Sequence, residues 1–409
     1  MFRASEASPR RLFARFHPGI WAITVIGFLN AVGFSISLPF LSLYLYQDRH
    51  MDMVLVGLVM LVAGVFSAVT QMFAGAITDR FGRRPLLLAT LLAGVFLYLG
   101  MALLIGASSG LLAIVIAYAA VRSVLMMMRP AMSAMVVDLS PKDRLTETYG
   151  LLRIAQNLGW AAGPAVGGYL ASSLSYAWLF AFTGMMGAVA LLIAFFFLRE
   201  SFGQPTEEIT IGSMFNAAKD RSFLKFTALS LLVFLVASQM ISTLSVFAVD
   251  RAGFSPSLYG MLLTTNGLVV VLFQYPAARA IGRVTKYTAL SLGSLLYGFG
   301  YLMMGWVGPF GLAVAAMVVI TLGEITLSPT TLAVVGEVSP ENSRGRYMGF
   351  FSLSETLGLS LGPMVGGILL DVFPATPVFI WGAISLLAFV AAAGFYRGDK
   401  SQRARDKTR

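Results

Sequence analysis

The chain is 409 residues long and carries a net charge of +10, yet only 12% of its residues are charged and 57% are hydrophobic. A water-soluble domain carries roughly a quarter charged residues, so a soluble globular fold is excluded and a membrane-embedded one is expected. There is no cysteine, and the two histidines, His17 and His50, sit at the edges of apolar runs; disulfides and thiolate metal sites are excluded, and neither a cofactor nor a metal site is expected.

Twelve apolar runs follow one another, each long enough for about 30 Å of hydrocarbon: 19–45, 53–77, 85–106, 109–137, 148–172, 176–198, 223–249, 256–282, 286–307, 309–336, 347–370 and 375–396. All are expected to be helices, because backbone polar groups in lipid need partners within their own segment. The basic start, with Arg3, Arg10, Arg11 and Arg15, precedes an apolar run too long for a cleavable signal. The segments after runs 1, 3, 5, 7, 9 and 11 hold two basic residues, Arg49 and Arg251, whereas both termini and the other segments are rich in Lys and Arg. The positive-inside rule therefore puts both termini in the cytoplasm of a cell membrane. Topology accounts for the positive charge, so no nucleic-acid partner is called for. Nothing asks for a second subunit, and the chain reads as a monomer.

Polar residues inside the apolar runs mark where function is expected. Asn30, Gln71, Gln239, Asn266 and Gln274 are candidates for a substrate cavity; hydrogen bonds between helices explain them equally well. Five ionisable residues lie within spans: Arg122, Arg129, Arg153, Glu324 and Glu355. Each costs about 2.5–3.5 kcal/mol near a helix centre and needs a partner or a wet cavity. Arg153 and Glu355 lie near span ends. Arg122 and Arg129 are seven apart, on one helical face, and Glu324 falls at a depth between them. An ion pair or water-bridged triad is the expectation.

The chain is also duplicated. At an offset of 199, Ser140 to Gly168 returns as Ser339 to Gly367, with 10 identities in 29 positions; at 203, Gly57, Gly64 and Gln71 return as Gly260, Gly267 and Gln274. Internal repeats of membrane spans are a mark of transporters, with the substrate held where the repeats meet. The polar stretch 199–222 falls at the boundary. The expected organisation is a first six-helix bundle at 1–198, a cytoplasmic linker at 199–222, a second bundle at 223–396 and a basic tail at 397–409.

Three motifs carry a family resemblance. The loop after span 2 reads Gly75-Ala76-Ile77-Thr78-Asp79-Arg80-Phe81-Gly82-Arg83-Arg84, and span 5 reads Gly159-x-x-x-Gly163-Pro164-x-x-Gly167-Gly168. The first resembles motif A of the major facilitator superfamily; the second resembles motif C of its drug:proton antiporter branch. Leu322-Gly323-Glu324, with Pro329 after it, is similar to the membrane-embedded glutamate segment of some multidrug/proton antiporters. Span 4 departs from the family pattern, because the glycines that should follow Arg122 are replaced by Ser123-Val124-Leu125-Met126.

The resemblance implies an all-helical membrane protein of two pseudo-symmetric six-helix bundles, with spans 1, 4, 7 and 10 lining a central cavity. It also implies proton-coupled export of small amphipathic compounds, by alternating access and without enzymatic chemistry. Glu324 would carry the proton, with Arg122 and Arg129 setting its affinity and holding any anionic part of the substrate. Motif A would act as a latch: Asp79 accepts hydrogen bonds from the start of span 11, and Arg83 or Arg84 pairs with Asp138 when the cytoplasmic side is closed. Gly159, Gly163 and Gly167 line one helix face and permit close packing, and the same spacing at Gly358, Gly362 and Gly366 favours packing over a direction signal. Two alternatives stand beside export: a proton-coupled carrier of a defined solute such as a sugar, an anionic metabolite or a lysolipid, and a non-transporting receptor or scaffold.

Overall fold

The computed structural model describes residues 16–141, 144–201, 215–306, 308–340 and 344–407, without the side chains of 72, 74–76, 78–80, 146, 215–216, 344–345 and 399–407. Within these residues the chain forms twelve long helices: α1 Pro18–Gln47, α2 Met53–Phe81, α3 Arg83–Gly106, α4 Leu111–Leu139, α5 Leu145–Ser173, α6 Tyr176–Phe197, α7 Arg221–Arg251, α8 Pro256–Ile281, α9 Lys286–Met304, α10 Phe310–Val338, α11 Arg344–Val372 and α12 Pro377–Lys407. Ten of them are long and apolar enough to cross a membrane. The other two are α5, which carries Arg153, Gln156 and Asn157, and the 19-residue α9.

Local chemistry sets the ends. The Asp220 carboxylate accepts hydrogen bonds from the Ser222 and Phe223 amides at the start of α7. Ser255 accepts from Leu258 at the start of α8, and Thr285 from Thr288 at that of α9. Each supplies an acceptor for an amide donor that the first helical turn leaves without a partner. Between α2 and α3 the chain turns through a single residue, Gly82, at φ 93°. A side chain there would be strained by the backbone and would meet Glu200 Oε2 at 2.6 Å.

Each half uses the same neighbours. In the first, α1 packs on α5 and α6, α2 on α4, and α3 on α4 and α6; in the second, α7 packs on α11 and α12, α8 on α10, and α9 on α10 and α12. The halves meet where α2 packs on α11 and α5 on α8. The duplication read from the sequence is therefore a duplication of architecture.

Helix α7 is not continuous. A 3-10 turn at Ser238–Met240 and a short α segment at Thr243–Val246 lead into a π turn at Phe247–Arg251. Its counterpart α1 is unbroken but contains Pro39.

The face that carries the start of α1 and the end of α12 is called terminal, and the opposite one distal. Among the described residues, the hydrogen bonds between halves lie at the distal face, apart from one from Arg153 to Ser328. The two halves are tied together distally.

Candidate functional site

Glu324 sits on α10, partly buried in the wall of the second half. Asn266 of α8 donates its side-chain amide to Glu324 Oε2 at 2.7 Å and to Thr321 Oγ1 at 3.0 Å. Thr321 lies one turn before Glu324 and in turn donates to the Met317 carbonyl, 2.7 Å away. An amide that donates to the carboxyl group suits the ionised acid, which can only accept. Among the described residues no cation lies within ion-pair distance of Glu324; the guanidinium in electrostatic reach is that of Arg153, on α5 of the other half.

The expected triad of Glu324 with Arg122 and Arg129 is not formed in this structure. Arg122 lies against Phe34 of α1, its guanidinium carbon 5.8 Å from the ring centre. Helical side chains lean toward the N-terminus of their helix, which turns Arg122 back toward Tyr118, one turn earlier, and toward Tyr98 of α3. Arg129 is exposed and feels Glu355 on α11 as its acidic neighbour. Two cross-half relationships thus replace the single triad: Arg129 with Glu355, and Arg153 with Glu324 and Ser328. The Arg153 Nη2 to Ser328 Oγ distance is 3.5 Å. Ser328 is the repeat equivalent of Arg129, at the offset of 199.

The candidate cavity residues separate. Asn30 returns its amide to the Ile26 carbonyl of its own helix at 2.9 Å and borders a small cavity of about 20 Å³ shared with Phe34 and Tyr98. Gln71 is partly buried on α2, and Gln274 of α8 reaches the Ile325 carbonyl at 3.4 Å. Asn266 is at the glutamate. Gln239 does not line a cavity: it is 0% exposed, donates to the Leu235 and Gly362 carbonyls and accepts from Thr243. It fills the break in α7, where the interrupted helix needs polar partners, and ties α7 to α11.

Motif A is anchored to its own half. Arg83 Nε lies 2.8 Å from Asp138 at the end of α4, with both side chains largely buried. Arg84 donates to the Leu198 and Phe195 carbonyls at the end of α6. Glu200 accepts the Arg83 and Arg84 amides at the start of α3, at 3.1 and 3.2 Å. The expected Arg83–Asp138 pair is present, and it joins α3 to α4 within one half. The Gly75 and Arg80 side-chain positions and the Asp79 carboxyl group lie outside the described residues, so the contact expected from Asp79 is not part of this picture.

The glycines of α5 face two directions. A Cβ on Gly159 would meet the Phe28 carbonyl at 2.8 Å, and one on Gly163 the Val32 carbonyl at 2.7 Å, so these residues, with Gly167, let α1 approach. Gly168 faces the start of α8, and the Pro164 carbonyl lies against Gly260. Gly358, Gly362 and Gly366 do the same toward α7.

Sequence reasoning missed Thr321, Glu200 and Tyr98. Thr321 had a signal, because it lies three positions before Glu324 and shares its face.

A family model described as Major Facilitator Superfamily matches residues 23–257 and 227–409. An MFS-type transporter of Bacillus subtilis (strain 168), YqjV, is 26% identical over 406 residues, covering 96% of this chain and 97% of the relative. A multi-drug resistance efflux pump PmrA homolog of Lactococcus lactis is 24% identical, covering 84% and 86%. A solved POT family transporter, in complex with a thioalcohol conjugated peptide, superposes with a TM-score of 0.78 at 16% identity, over 94% of this chain and 96% of that one.

Proposed function

The chain belongs to the Major Facilitator Superfamily of secondary transporters, and on that premise we propose that it exports small amphipathic compounds in exchange for protons. The bundles at 1–198 and 223–396 rock about the central cavity while the segment 199–222 links them, and one chain is the transport unit. Positive-inside charge puts the terminal face in the cytoplasm. On this reading the distal ties belong to the inward-facing member of the cycle, in which an exporter loads substrate and releases its proton.

The observation that carries this reading is Glu324, held by Asn266 and Thr321 with no cation at ion-pair distance among the described residues. When Glu324 takes up a proton it gains a donor while its other oxygen still accepts, so the carboxyl group can keep the Asn266 amide and offer its new O–H to a further acceptor. Motion toward the outward-facing state brings Arg153 and Arg129 against their acidic neighbours. Asp79 then latches the terminal face to the start of α11. The likeness to a Lactococcus lactis multi-drug resistance efflux pump homolog supports the direction of transport.

Glu324→Gln in proteoliposomes tests the reading. The variant is expected to lose uphill transport under a proton gradient and to retain downhill exchange. Concentration of substrate by Glu324→Gln under that gradient overturns the assignment. Asp79→Asn is expected to shift a distance across the terminal face toward the open state; an unchanged distance removes Asp79 from the latch.

A further inference from the structure

Among the described residues, the other ionisable groups within the spans have a polar partner or an opposite charge nearby, and Arg122 has neither. Glu324 has Asn266, Arg153 has Ser328, and Arg129 has Glu355 in its field. Among the described residues Arg122 has no acid within ion-pair distance, and its Nε is shut off from solvent without an acceptor. Its neighbours are neutral: the phenols of Tyr98 and Tyr118 and the face of Phe34. Phe34 itself meets Trp160 of α5 edge-on, with ring centres 5.5 Å apart. A guanidinium among aromatic rings gains from the ring faces, but these neutral neighbours leave its buried Nε without an acceptor.

Glu324, the anion that sequence spacing suggested, is engaged on the far wall. We infer that the missing anion belongs to the substrate, and that Arg122 is the docking point for the carboxylate or sulfonate of an amphipathic, preferably aromatic, monoanion. The guanidinium offers a planar fork of donors that matches such a group in two parallel hydrogen bonds. Phe34 and Trp160 supply a flat apolar surface beside it for the body of the molecule. The partly buried stretch from Arg122 to Met127 on α4 forms the adjoining wall, and its unbranched methionines adapt to ligands of differing shape. Substrate charge is thereby selected on the first half and proton charge on the second. The inference rests on the reading of the chain as a transporter with a central cavity, and it narrows the substrate class from amphipathic compounds to amphipathic anions.

The test is equilibrium binding to the full chain in lipid nanodiscs, read from tryptophan fluorescence. Three probes share one ring: 2-naphthoate, the neutral 2-naphthamide and the cationic 2-naphthylmethylammonium. The wild-type protein is expected to bind naphthoate at least tenfold more tightly than naphthamide. Arg122→Gln is expected to bring the two within twofold while naphthamide affinity stays near its original value, which also reports an intact cavity. Should Arg122→Gln bind neither ring, Arg122→Lys decides: a reduced preference that stays above threefold supports the inference, and an unchanged one overturns it. Equal binding of naphthoate and naphthamide by the wild type, a preference for the ammonium, or an anion preference that survives Arg122→Gln also overturns it. No proton gradient enters this measurement. Failure of Glu324 as the coupling residue would therefore leave the result standing, and failure here would leave proton coupling untouched.

Discussion

Asp371 and Ser172 hold the same post in the two halves, 199 positions apart. Asp371, at the end of α11, accepts the Val54 amide at 2.9 Å and the Met53 amide at 3.3 Å, at the start of α2. Ser172, at the end of α5, accepts the Ser257 amide at 3.0 Å, at the start of α8. Each half thus caps a helix of the other, once with a charge and once with a hydroxyl. Tyr46 and Asp250, 3.2 Å apart, add a third tie between α1 and α7.

Removing the charged cap is expected to favour the distal-open state. A cap of this kind contributes about 1 kcal/mol, so Asp371→Ala shifts the population roughly fivefold toward distal opening, and Ser172→Ala shifts it less. The absence of native cysteines makes paired spin labels on the distal ends of α5 and α8 straightforward to introduce. Identical distance distributions in the Asp371→Ala variant and the wild type would refute the cap as a gate.

The Arg83–Asp138 pair is expected to act on folding. Taking away one partner of a largely buried pair leaves an uncompensated charge at a cost of about 3–5 kcal/mol. Asp138→Ala should therefore lower the unfolding temperature of the detergent-solubilised protein by several degrees, with terminal-face distances unchanged in the folded fraction. An unaltered unfolding temperature combined with a shifted distance would restore the pair to the latch.

Gln239 is expected to matter for stability and not for substrate affinity. Gln239→Leu strands the Gly362 carbonyl and the Thr243 hydroxyl, at roughly 1–3 kcal/mol for a buried unpaired group. Binding affinity in the folded protein stays within twofold. A selective loss of affinity at unchanged stability would place Gln239 in the cavity after all.

The α5 glycines are expected to behave as packing residues. Gly163→Val drives a side chain into the Val32 carbonyl of α1, and Gly362→Val drives one into the Leu235 carbonyl of α7 at 2.6 Å. Both should lower the yield of folded protein to a similar degree. A folded, stable Gly163→Val protein with reversed or uncoupled transport would assign the motif a directional role instead.

The helices were legible because hydrocarbon length and the backbone's need for internal partners leave one solution, and the twelve runs fall on the twelve helices. The duplication was legible because the glycines that permit close approach recur at constant offsets, 199 for α5 and α11 and 203 for α2 and α8. The partners of the charged residues were not. Glu324 meets Asn266 across 58 positions, and spacing along one helix does not tell which neighbouring helix it faces. Arg122 and Arg129 share a helical face, yet one turns to Phe34 and the other toward Glu355, because side-chain lean and depth divide them. Glu200 was hidden for another reason: the 199–222 stretch reads as a polar linker, and nothing in it announces that its second residue closes the start of α3. The break in α7 did leave a mark, because Ser238-Gln239, Ser242-Thr243 and Ser245 cluster where the helix unwinds, but polar residues within a long apolar run do not by themselves distinguish a break from a polar face.

That break has a counterpart. At the offset of 203, which also brings α1 onto α7, Pro39 falls on Ser242, one of the two residues between the 3-10 turn and the short segment that follows it. Proline removes the amide that would bond one turn back, and the interruption in α7 does the same by unwinding. Two unlike sequences therefore place a point of weakness at one depth in the paired helices α1 and α7. Bending there asks little of the backbone, so the distal third of each helix can swing while the stem beneath it stays seated. The stiffness of the molecule is distributed as symmetrically as its fold.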